Sequence, residues 1–142
     1  MNIGYSRHPW LYPLALLACA RLVVAWLLPL SPDEAYYRVW ALAPAAGYLD
    51  HPPMVAIWIR LGMLLAGDNP FGARLAGVLA GCGLSFFIIR AVRDLVPDAQ
   101  AGQGARACLL LQATLAMAIQ SVVITPDMPV LFFVAMLVWC MG

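Results

Sequence analysis

The chain has 142 residues, 64% of them hydrophobic and 11% charged, with a mean hydropathy of +0.86. A soluble domain carries about 25% charged residues, so this composition excludes one and indicates an integral membrane protein. The net charge of +1, with eight basic residues that are all arginine, excludes the broad basic surface that nucleic acid requires.

Arg7 and His8, followed by WLYPLALLACA, imitate a signal peptide ending at Ala18 and Ala20, and LLAC imitates a lipidation site. Both readings are set aside because the apolar run resumes after Arg21 and continues to Leu30. Such a run, about 20 residues from Leu11, is long enough to cross a bilayer. Arg21 sits near the middle of this first span, where a charge costs a few kcal/mol, so it is expected to face protein or a polar cavity. There it either steadies an anionic lipid headgroup or pairs within the bundle.

Ser31-Pro32-Asp33-Glu34 has the grammar of a helix start: serine as N-cap, proline at the first helical position, acids in the first turn and Glu34 three after the cap. The helix it opens carries Tyr36, Tyr37 and Trp40, aromatics suited to the headgroup level. In GYLDHPPM, Pro52 and Pro53 hold the backbone extended and keep Asp50 and His51 out of a helix until Met54. Spacing alone leaves this pair as either a solvated loop or a site, since a metal generally needs three or four ligands.

The segment Met54 to Ala66 has 13 residues with Arg60 in the middle. It is too short for a perpendicular span and reads as interfacial or re-entrant. Arg60 and Arg74 read as interfacial anchors on the side where a lipid phosphate would bind. Spans are then expected at Leu75 to Val96, at Ala107 to Ile124, and from Met128 to the last residue, Gly142, four in all with the first. Thr125-Pro126-Asp127 repeats the helix-start grammar before the last of them. Cys19, Cys82, Cys108 and Cys140 lie inside apolar runs without CxxC spacing and read as small core residues.

This count places Arg7, Arg90, Arg93 and Arg106 on one side, which the positive-inside rule makes cytoplasmic. The region from 31 to 73 then forms an extracytoplasmic loop with juxtamembrane helices, and Asp127 returns to the same face. Five of the seven acids, Asp33, Glu34, Asp50, Asp68 and Asp127, share that compartment. No internal repeat or separate soluble domain interrupts residues 1–142, which form a single transmembrane region.

The series DEAYYRVW, GYLDHPPM, NPFGARLAGVLAG and TPDMPVLFF, in that order, resembles the GT-C superfamily of polyprenol-phosphate-sugar-dependent glycosyltransferases. Within it, the chain is similar to the family joining protein O-mannosyltransferase-like enzymes with the bacterial aminoarabinose and galacturonic acid transferases of lipid A. The resemblance covers the N-terminal part of such enzymes and implies an all-α, GT-C-like membrane fold. It also implies transfer of a sugar from a polyprenyl-phosphate donor to a lipid or protein acceptor at the outer face of a bacterial inner membrane. By the same resemblance Asp33 is the catalytic base or acceptor-orienting residue, and Asp127 is a second acidic position. Glu34, Tyr37, His51 and Arg74 are expected at the substrate, with His51 standing where a basic residue is common. Asp50 matches a position associated with a divalent metal ion in some members.

The last apolar run ends without a polar flank, so the chain reads as a fragment of a longer enzyme. The alternative from another class is a non-catalytic membrane module in which the acids only cap helices. A small transporter fits less well, because the acids lie at span ends and not at the bilayer midplane.

Overall fold

The computed structural model describes residues 10–142, and all regular structure among them is helical. Helix α1 runs Leu11–Leu27 and stops where Leu28 turns extended (φ −90°, ψ 138°) ahead of Pro29, which has no N–H to continue the ladder. Helix α2, Pro32–Leu42, leaves at 83° to α1 and lies across the end of the bundle. Its start is the expected capping box, with Ser31 Oγ accepting from Glu34 N and Glu34 accepting from Ser31 N.

Helix α3, Met54–Ala66, has the 13 residues anticipated and packs on α2 and α4. It ends at Gly67, whose φ of +86° is the left-handed region that glycine enters without a Cβ penalty. Helix α4, Pro70–Leu95, begins five residues earlier than the apolar run did, because Asn69 caps it, accepting from Gly72 N at 2.9 Å, and Pro70 fits the first turn. At 26 residues it is the central helix, touching α1, α3, α5 and α7. The α3–α4 approach is close enough that a Cβ on Gly62 would lie 2.2 Å from Gly72 O, the kind of backbone contact small residues allow between membrane helices.

The expected span Ala107 to Ile124 is not one helix. It is divided into α5, Gln103–Gln112, and α6, Leu115–Gln120, and is non-helical again before Ile124. Thr114 explains the break: its Oγ1 donates to Leu111 O at 2.7 Å and accepts from Met117 N at 3.3 Å, closing one helix and capping the next. Helix α7, Asp127–Cys140, follows, but Thr125 does not cap it; the residue before it is Pro126, and the Thr125 hydroxyl is buried without a partner.

Among the described residues one helix, α4, is both long and apolar enough to cross a membrane by itself, and α1 with α2 passes only as a bent pair. The protein is a helical membrane protein with one clear span and several shorter apolar helices. Its cysteines also differ from expectation: only Cys108 is buried, while Cys19, Cys82 and Cys140 are exposed on apolar helices.

Arg90 and Arg93 at the end of α4 share one end of the bundle with Trp10, whose ring lies 4.8 Å from the Arg106 guanidinium, and with Trp139, which donates to Asp94 at 3.1 Å. Ser31 and Ile124 meet at the other end, on the Glu34 carboxylate. Arg7 lies outside the described residues.

Candidate functional site

Glu34 is fully buried, although it follows an exposed Asp33 in a charged first turn. Its Oε1 accepts from Arg74 Nε at 2.6 Å and from Ile124 N at 3.1 Å, and its Oε2 accepts from Arg74 Nη2 at 2.6 Å and Ser31 N at 2.9 Å. Arg74, 2% exposed, completes its own set on the end of α1, donating to Leu28 O and Pro29 O at 2.8 Å each. This bidentate geometry is the strong form of the arginine–carboxylate pair. Burial pushes the Glu34 carboxyl up, but Arg74 and the Ser31 and Ile124 amides outweigh it and hold the group below the ordinary glutamate range.

This pair joins the ends of α1, α2 and α4 to the segment before α7. Arg74 is therefore neither an interfacial anchor nor open to a lipid phosphate; its guanidinium is taken up by Glu34 and backbone carbonyls. Glu34, expected at the substrate, has both oxygens engaged inside the protein. The 40 positions between them hid the pairing from the sequence, and Ile124 N carries no side-chain signal at all.

The exposed acids lie around this knot. Asp33 precedes Glu34, and Tyr37 follows Asp33 by one turn of α2 on the same face. Tyr37 is 9% exposed, and its phenol is raised above the ordinary value by burial first and then by the fields of Asp33, Asp127, Asp50 and Tyr36. The fields of carboxylates from three separate segments thus reach one hydroxyl-bearing ring. Asp50 accepts from Tyr36 OH at 3.2 Å, and Asp127 accepts from Gln120 Nε2 at 3.2 Å. His51 is half-buried with its ring 5.7 Å from Tyr37 and 6.1 Å from Trp40.

The loop holding Asp50 and His51 is pinned by Tyr48. Its ring stacks on Trp40 at 4.5 Å and 5°, and its hydroxyl donates to Trp40 O at 2.8 Å. Tyr48 and Gln120 escaped the sequence reading; the tyrosine just ahead of the LDHPP acids was the available signal for the first.

An apolar groove of about 510 Å³ runs between α3 and α7, lined by Met54, Val55, Pro129, Val130 and Phe133, with Asp127 as its charged lining residue. Among the described residues no three His, Cys, Asp or Glu side chains come together in a way that holds a metal ion.

The dolichyl-phosphate-mannose-protein mannosyltransferase family model matches residues 50–142, well over half of the chain. The match includes Asp50, His51, Arg74 and Asp127, and begins after Asp33 and Glu34. The lipid A galacturonosyltransferase RgtD of Rhizobium johnstonii is 31% identical over 105 residues, covering 72% of this chain and 21% of its own length. The aligned part is thus about a fifth of that curated relative. No solved structure matches. On this evidence, the chain belongs to the dolichyl-phosphate-mannose-protein mannosyltransferase family, membrane glycosyltransferases of the GT-C type.

Proposed function

We propose that this chain carries the acidic half of a glycosyltransferase site that moves a sugar from a polyprenyl phosphate to a lipid or protein hydroxyl. The reaction takes place at the extracytoplasmic face of a bacterial inner membrane. Asp33, exposed at the first turn of α2, takes the proton from the acceptor hydroxyl. The acceptor oxygen attacks the anomeric carbon, the bond from that carbon to the phosphate oxygen breaks, and the electron pair leaves on the phosphate. Asp127, held by Gln120, orients the acceptor. His51, when protonated, places a cation beside the leaving phosphate.

The observation that supports this reading is the apolar groove between α3 and α7 with Asp127 in its lining, together with the fields of Asp33, Asp50 and Asp127 that all act on Tyr37. A base belongs at the water boundary, and a prenyl chain belongs in such a groove. Asp33→Asn in the full-length protein tests it: sugar transfer in membranes is expected to fall by about 10²-fold or more, the usual contribution of a general base. Unchanged transfer at normal expression would remove Asp33 from the role of base.

A further inference from the structure

A second polar cluster lies inside the bundle, apart from the site above. Arg21, on α1, is 7% exposed, and its Nη2 is buried without a hydrogen-bond partner. Six residues separate it from the end of α1 at Leu27, which puts it about 9 Å below that end at 1.5 Å per residue. Gln112, the last residue of α5, is 2% exposed; its Nε2 donates to Ser85 Oγ at 2.8 Å, while its Oε1 is buried and unpartnered. Ser85 Oγ donates to Gly81 O at 2.8 Å, and that same carbonyl lies 3.5 Å from Gln112 Nε2. This pattern fixes the orientation of the amide, so its free atom is an acceptor.

Arg21 and Gln112 both approach Gly81, the guanidinium toward the position of a Cβ and the amide at the carbonyl. A Cβ there would stand 3.3 Å from Met128 Cε, 3.7 Å from Ser121 Cβ and 4.0 Å from Arg21 Nη1, so only a glycine lets the guanidinium, the methionine methyl and the serine share this spot. The polar cluster coincides with the break after Gln112, and interrupted helices at membrane depth are tolerated where they line protein or a hydrated cavity. Among the described residues no carboxylate pairs with Arg21, and the buried Glu34 is taken up by Arg74. A guanidinium in this setting calls for a counter-charge, and the free Gln112 oxygen calls for a hydrogen-bond donor.

We propose that Arg21 and Gln112 form a hydrated internal site for one small inorganic anion. The anion sits against the Arg21 guanidinium, and its water donates to Gln112 Oε1. The site is distinct from the transfer site and does not depend on the reading of Asp33.

Cys108, fully buried and neighbouring both Arg21 and Gln112, is a built-in reporter. In the full chain in nanodiscs, with Cys19, Cys82 and Cys140 changed to Ser, Cys108 is treated with an anionic sulfonatoethyl and a cationic trimethylammonium-ethyl methanethiosulfonate. The anionic reagent is expected to react about tenfold faster, the scale of steering by one local charge. Sodium bromide should slow it, and Arg21→Gln should abolish both effects while Arg21→Lys keeps them. A Cys108 inert to both reagents would mean a dry contact in which Arg21 turns onto Gln112, and would overturn the proposal. Equal rates for the two reagents, or no protection by bromide, would overturn it as well. The bromide result in the Arg21 protein decides the matter even where Arg21→Gln does not fold.

Discussion

Arg74 and Arg21 are both more than nine-tenths buried in the same small bundle, yet their surroundings are opposite. Arg74 meets a carboxylate in bidentate fashion and three carbonyls from the end of α1; Arg21 has no acid beside it and a nitrogen with no partner. Burial alone therefore says little about what a charged side chain does here. Arg74 is part of a closed network that holds segments in register, whereas Arg21 is an open group that requires something beyond the described side chains.

The sharpest way to break this comparison is to remove one partner of the closed pair. Arg74→Leu leaves Glu34 buried without its cation and should cost about 3–5 kcal/mol, the usual penalty for half of a buried ion pair. Thermal unfolding in nanodiscs should show a large loss, and a change within error would mean that Glu34 is not held as described. The double variant Glu34→Leu with Arg74→Leu should recover part of the loss, though not all, because Ser31 N and Ile124 N remain without an acceptor.

Acid acts on the same pair. The Glu34 carboxyl is held below its ordinary value of 4.5, so its contribution is complete above the unfolded value and is lost as pH falls through the folded one. A stability profile from pH 7 downward should stay level until about the free glutamate value and then decline. In Arg74→Leu that decline should be shallower or reversed, since a buried carboxyl without its cation favours the protonated form.

Arg21→Leu should have a much smaller effect, about 1 kcal/mol or less in either direction, since replacing a buried charge that has no carboxylate partner by an apolar group also removes its desolvation cost. A loss as large as that of Arg74→Leu would erase the contrast. The smallest effect is expected at a third arginine. Arg38 makes a bidentate pair with Asp68 at 2.6 and 2.5 Å, but both side chains are substantially exposed. Asp68→Asn should cost no more than about 1 kcal/mol, and less at high salt.

Much of this contrast was beyond a reading of the sequence, for reasons that differ by element. The capping box at Ser31 and Glu34 and the short α3 are local signals, and they appear as expected. The pairing of Glu34 with Arg74 depends on how α2 turns back over α4, which no local pattern encodes. The split of the third apolar run was written in Thr114, but one threonine in a long apolar stretch is outweighed by hydropathy. Asp33, Asp50 and Asp127 are expected on one face from span parity; that the fields of all three act on Tyr37 depends on packing.

The most direct test of the central claim, that one buried carboxylate ties the start of α2 to the approach to α7, is hydrogen exchange at the Ile124 amide. Ile124 follows α6 outside any helix, and its N–H is bonded to Glu34 Oε1 at 3.1 Å. Strong protection of this amide is expected in the wild-type chain, with its loss in Glu34→Ala and no change in α5. Exchange at the rate of an open loop in the wild type, or protection unchanged in Glu34→Ala, would contradict it.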